Sequence, residues 1–114
     1  MNRKERRRKK KNTSQNKANS HLLDAIQMHI KKDFDNAESL YLKIIENDQT
    51  NYQALRHLGI LYNDTKKYDK AITYLTNAIN IAPSIPDAHN NLGLVYFVSD
   101  NLASAKKSFE KSFF

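Results

Sequence analysis

The chain has 114 residues, enough for one domain, with 39% apolar and 27% charged residues, two glycines, two prolines and neither cysteine nor tryptophan. That composition excludes disulfides and thiolate metal sites, and so little glycine and proline argues against a turn-rich β architecture. The formal net charge of +7 belongs to one end: residues 1–17 carry nine Lys/Arg against Glu5 alone, net +8, whereas residues 18–114 carry ten Lys/Arg against eleven Asp/Glu, net −1.

Within residues 3–11, eight of nine side chains are cationic. Repulsion at that density, with no apolar residue to fold around, predicts a disordered tail over 1–17. A solubilising role is the simplest one for it. The run also suits contact with phosphate backbones through counterion release, or with an anionic membrane surface at about 1 kcal/mol per cation. No aromatic residue is interleaved to stack on bases, so a nucleic-acid contact is expected to be nonspecific. Residues 12–20 hold no apolar run, which argues against a secretory signal, and nowhere are there roughly 18 consecutive apolar residues to span a membrane. A soluble, cytoplasmic protein is expected.

From residue 18 onward the chain repeats itself at a shift of 34 residues. The first unit, 18–51, places Ala25, Phe34, Ala37, Tyr41 and Ile44 in the columns that the second unit, 52–85, fills with Gly59, Tyr68, Ala71, Leu75 and Ala78. The third, 86–114, is incomplete and sets Leu92-Gly93, Tyr96, Leu102, Ala105 and Phe109 on Leu58-Gly59, Tyr62, Tyr68, Ala71 and Leu75. A fixed period with similar residue sizes in each column marks a stacked repeat. Inside the second unit, Leu55, Leu58, Leu61 and Tyr62 form one helical stripe, and Ala71, Ile72, Leu75, Ala78 and Ile79 a second. Residues 63–67 are a polar break between them, so each unit is predicted to be two antiparallel helices joined by a short turn. Pro83 is expected to end the second helix at Ala82, and Ser84 to cap the helix that opens near Pro86. Gly59, Gly93 and Ala25 on first helices, facing Ala71, Ala105 and Ala37 on second helices, let the axes approach closely; larger residues would cost on the order of 1–3 kcal/mol per site.

These residues resemble tetratricopeptide repeats, whose pattern carries Leu-Gly, Tyr, Ala, a large apolar residue, Ala and Pro. The second unit follows it with Leu58-Gly59, Tyr62, Tyr68, Ala71, Leu75, Ala78 and Pro83; the third has Ser112 in an Ala column; the first has Asp24 in the Leu column and Gln49 in the Pro column. The resemblance implies an all-α solenoid of about three helix-turn-helix units behind the basic tail. It also implies a concave groove lined by the first helix of each unit, and protein or peptide partners for that groove.

In repeat register the groove columns hold Asn19, Leu22, Leu23, Ile26, His29 and Ile30, then Gln53, Arg56, His57, Ile60, Asn63 and Asp64, then Asp87, Asn90, Asn91, Leu94, Phe97 and Val98. This mixed amide and apolar lining suits an extended peptide. Family members that clamp a C-terminal carboxylate carry Lys, Asn, Asn, Lys and Arg in columns that here hold Leu22, Ile26, His57, Asp87 and Asn91, so that mode is disfavoured. Ala25, His29, Ala37, Glu38, Tyr41, Ala54-Leu55, Leu58-Gly59 and the run from Ala88 to Gly93 look like repeat arrays that precede bacterial glycosyltransferase, methyltransferase or sulfotransferase domains. Asn91 matches the groove asparagine that O-linked N-acetylglucosamine transferases use on peptide backbone, and His57 interrupts the series in the unit before it.

Catalytic chemistry has no foothold in this pattern. Of His21, His29, His57 and His89, no pair lies three or four residues apart; both glycines are packing positions; and no cofactor is expected. Phe109, Phe113 and Phe114 fall on the last helix with nothing after them to cover them, whereas solenoids usually end in a polar cap. The expectation is therefore either a longer protein or self-association through that helix.

Overall fold

The computed structural model describes residues 2–99, together with Lys107 and Glu110, which are helical; side chains are described throughout, residues 6–15 excepted. Five helices follow one another, α1 (Arg3–Ile30), α2 (Phe34–Asn47), α3 (Tyr52–Asp64), α4 (Tyr68–Ile81) and α5 (Pro86–Val98), with no strand among the described residues. The helices that open the second and third units begin at Tyr52 and Pro86, 34 residues apart as the repeat requires. The expected turn is shorter than its polar composition suggests, because Asn63 and Asp64 still belong to α3.

Both hairpin turns use one device. At Lys32 and Lys66 the chain enters the left-handed region, with φ of 64° and 63°. Lys32 N–H donates to the His29 carbonyl and Asp33 N–H to that of Met28; Lys66 N–H donates to Asn63 and Lys67 N–H to Tyr62. Each pair is the Schellman closure, which satisfies carbonyls left over at the helix end and reverses the chain at once. α2 then packs back on α1, and α4 on α3.

One core runs through the stack: Ala25, Ala37, Tyr41, Leu58, Leu61, Tyr62, Ala71, Leu75, Leu92 and Val95. Gly59 marks its tightest approach, since a β-carbon there would lie 2.6 Å from Leu75 Cγ and 2.8 Å from its Cδ2. A smaller cluster of Leu55, Ala78 and Ala88 seals the next junction.

Two local expectations need correction. Ser84 does not cap α5. Ile85 holds that position without a side-chain bond, and Pro86 occupies the first turn, where its missing amide costs nothing. The cap is tertiary instead: the Ala88 amide donates to the Tyr52 hydroxyl across the repeat junction at 3.2 Å. The second difference is at the N-terminus, where α1 runs through the basic segment expected to be disordered. Lysine and arginine are good helix formers, Asn2 Oδ1 accepts from the Glu5 amide at 2.9 Å, and a helix already nucleated on α2 extends without a new nucleation penalty. Asn2 to Glu5, Asn16 and Lys17 are exposed, so these residues add no core.

Candidate peptide groove

The first helices lie side by side, α3 touching both α1 and α5, and residues of the expected groove columns meet across these contacts. Polar side chains knit that face across the repeats. His29 Nε2 sits 2.7 Å from Asp64 Oδ2, tying α1 to α3, and His29 Nδ1 lies 3.4 Å from the Tyr41 hydroxyl. In the tautomer that donates Nε2–H to the carboxylate, Nδ1 accepts from the Tyr41 hydroxyl. Tyr41 is suited to donate, because burial pushes its hydroxyl pKa up to about 12, partly offset by the Arg56 charge. Its ring stacks on His57, centroids 6.1 Å apart and planes 9° from parallel.

Arg56 continues the chain of contacts. Its Nη2 donates to Gln53 Oε1 at 3.2 Å and towards His57 Nε2 at 3.4 Å, and its Nη1 donates to Asn91 Oδ1 on α5 at 3.2 Å. Burial first, then the charges of Arg56 and His29, lower the His57 pKa from 6.5 to about 4. His57 is therefore neutral near pH 7 and can accept from the guanidinium. Two buried atoms on this face, Arg56 Nε and Asn63 Oδ1, have no hydrogen-bond partner among the described residues.

Most of the remaining columns divide into exposed apolar side chains and packing residues. Leu23, Ile30, Leu94, Phe97 and Val98 are exposed, Phe97 by 57% and Ile30 by 75%, far more than a large apolar side chain in a core. Leu22 and Ile26 instead lean on the core, and Ile60 is half-buried. Asn19 and Asp87 are exposed, while Asn90 is half-buried and engaged in contacts. His89 is a packing residue: it is buried, with Nε2 3.0 Å from the Pro83 carbonyl. The sequence reading missed Tyr41, which comes from a second helix but reaches between the two groove histidines; its signal was a hydroxyl-bearing ring in a column that otherwise holds Leu75 and Phe109. On the opposite side, α2 and α4 flank an open cleft of about 560 Å³ lined by Leu42, Ile45, Leu55, Tyr74 and Ile81 among others, which no column pattern suggested. Phe109, Phe113 and Phe114 lie outside the described residues. Among the described residues no cluster of three or more metal-ligating side chains occurs, and no helix is long and apolar enough to cross a membrane.

Helix hairpins stacked at a constant 34-residue step, with first helices forming one continuous face, define a helical-repeat scaffold. Comparison with known proteins makes the class specific. Models described as tetratricopeptide repeat match residues 40–73 and 86–113, and one described as TPR repeat matches 59–98. The chain belongs to the tetratricopeptide repeat family. Among solved structures, it is similar to the second TPR of Spaghetti (RPAP3) bound to the HSP90 peptide SRMEEVD, at 24% identity and a TM-score of 0.80 over 90% of this chain and 96% of that one. It is similar to a mutant O-GlcNAc transferase of Thermobaculum terrenum at 23% identity and a TM-score of 0.82, covering 87% of this chain but 19% of the transferase. The Yersinia enterocolitica type III secretion translocator chaperone SycD matches at 13% identity and a TM-score of 0.82, over 85% and 74% of the two chains. At these identities the likeness speaks to the fold.

Proposed function

We propose that this chain is a protein-interaction module that holds an extended peptide segment across α1, α3 and α5. The observation that carries this reading is the set of large apolar side chains left exposed on first helices, Leu23, Ile30, Leu94, Phe97 and Val98, around the polar groups of α3. Exposed apolar surface grouped on one face favours association, and interleaved amide and guanidinium donors suit a peptide backbone and its side chains. Gln53, His57, Asn63, Asp87, Asn90 and Asn91 supply the polar part of that lining, with Ile26 and Ile60 as its half-buried floor. The mode differs from a C-terminal carboxylate clamp, because Leu22, Ile26, His57, Asp87 and Asn91 offer none of the cations such a clamp uses. The test is peptide-array screening of the native chain against a Leu94→Ser, Phe97→Ser variant. Hits that bind the native chain and lose at least about tenfold in the variant uphold the groove; hits bound equally by both would sink it.

A second reading takes the chain as the recognition segment of a larger transferase, favoured by the fit to about a fifth of the Thermobaculum chain. A reading frame that continues past Phe114 into a catalytic domain would uphold it, and a stop codon there would end it. For the basic segment, the reading is a sequence-independent contact with a polyanion. A steep salt dependence of RNA or anionic-vesicle binding, lost on deleting residues 1–17, is its test.

A further inference from the structure

The exposed apolar side chains of the groove columns lie on α1 and α5 and none on α3. α3 contributes Gln53, Arg56, His57 and Asn63, whereas the helices beside it contribute exposed apolar side chains, Leu23 and Ile30 from α1 and Leu94 and Phe97 from α5. Within the polar middle, one charge is left uncompensated. Among the described residues Arg56 reaches only neutral acceptors, Gln53 and Asn91 at 3.2 Å and His57 at 3.4 Å, and its buried Nε has no hydrogen-bond partner. The carboxylates on the same face do not serve it: Asp64 is taken by His29 at 2.7 Å, and exposed Asp87 forms no ion pair with Arg56. A guanidinium is a planar fork that matches a carboxylate in two parallel bonds, and a half-buried one held by amides gains most when an anion arrives.

We infer that the segment held in this groove carries an internal aspartate or glutamate that pairs with Arg56, with an apolar residue on each side of it. This rests on the peptide-groove reading and specifies the ligand. The acidic residue is internal because exposed apolar anchors lie on both flanks of α3, so a strand crossing the three helices continues past Arg56 in either direction. Neighbouring helices pack about 8–10 Å apart and an extended chain advances about 3.3 Å per residue, which sets roughly three residues from the acidic position to each apolar one.

The basic segment would attract any acidic peptide, so the set includes one control that keeps the net charge of the test peptide. Short fluorescein-labelled peptides, amidated at the C-terminus, are titrated into the native chain and followed by anisotropy. One has glutamate at the centre with leucine and phenylalanine three residues to either side; a second has glutamine at the centre; a third keeps the composition of the first but moves glutamate to one end. The centred glutamate should bind about tenfold tighter than the other two, and Arg56→Gln should bring all three together. Equal affinities of the three for the native chain overturn the inference and leave the groove standing. So does a glutamine-centred peptide with a free C-terminal carboxylate that matches the glutamate peptide, since the anion would then be terminal. Failure of every peptide to bind, or binding unchanged by Leu94→Ser with Phe97→Ser, overturns the groove reading and the inference with it.

Discussion

The first helix pair and the second share a turn, a second-helix length and a register, yet they solve the same packing problem with different residues. Each second helix spans 14 residues, and each hairpin turns through a left-handed lysine. In the second pair a glycine, Gly59, admits the branched side chain of Leu75; in the first, Ala25 is paired in the same columns with the flat ring of Tyr41, and all four are buried. The Leu column differs more sharply. Leu58 is fully buried, whereas Asp24 is exposed. The cause is position in the stack: among the described residues α3 is packed by α1, α2, α4 and α5, but α1 meets only α2 and α3, and Asp24 lies on its uncovered side. A column therefore fixes a residue's direction, while its neighbours decide whether that direction is wet or dry.

Exchanging residues between the pairs tests this point at its strongest. Leu58→Asp places a carboxylate in a fully buried site and should destabilise the chain by about 4 kcal/mol or more, enough to abolish the urea transition, while the reciprocal Asp24→Leu should stay within about 0.5 kcal/mol. Comparable effects from the two would show that the columns are equivalent after all. Gly59→Ala is the next largest, about 1–3 kcal/mol, because the added methyl meets the branch point of Leu75 and not the far end of a flexible side chain. Ala25→Gly in the first pair should also destabilise, by about 1 kcal/mol, but through helix propensity and a small void. Denaturant midpoints for the four variants rank these effects directly.

The architecture was legible because repeats write residue size into a column. The period, the helix pairs, the start at Pro86 and the close approach at Gly59 follow from that alone. What a column does not encode is reach. Arg56 to Asn91, His29 to Asp64 and Tyr52 to the Ala88 amide join residues 35 or 36 positions apart, one or two off the repeat step. Each depends on a long side chain leaning across a junction, and no periodicity reports a rotamer. Ser84 misled for a related reason: its residue type suits a cap, but the orphan amide already had a tertiary partner in Tyr52. At the basic segment the expectation weighed repulsion and missing core, whereas helix propensity and the Asn2 cap act in the opposite direction.

The groove columns extend the comparison to pH. Where the first pair has exposed Leu23, the second has His57, neutral in the folded chain until pH falls to about 4 but titrating near 6.5 once unfolded. Between those values the unfolded chain takes up a proton that the folded chain refuses. Stability is thus complete above pH 6.5 and declines as pH falls toward 4. The ring is not fully buried, so solvent screening brings the loss to about 1–2 kcal/mol. His57→Leu, which copies the first pair, should remove that part of the pH dependence, read as the difference in urea stability between pH 7 and pH 4.5 for variant and native chains. An unchanged difference would mean that His57 is as free to protonate in the fold as out of it.

The smallest effects should come from the feature that the two pairs share. Lys32 and Lys66 adopt positive φ, a conformation that crowds a β-carbon and costs roughly 1 kcal/mol in a residue other than glycine or asparagine. Glycine relieves the crowding but gives the unfolded chain more freedom, so Lys66→Gly should gain only about 0.5 kcal/mol and Lys66→Asn about the same. Both lysines are exposed, and a neighbouring lysine, Lys31 or Lys67, stays beside each turn, so the gain reflects backbone geometry. Because the two turns have the same hydrogen bonds, Lys32→Gly should match Lys66→Gly and the double variant should sum them, near 1 kcal/mol. A gain at Lys66 alone would separate the pairs again, this time by cooperativity: it would mean that the first hairpin opens before the rest of the stack, as a one-dimensional repeat array allows at its ends.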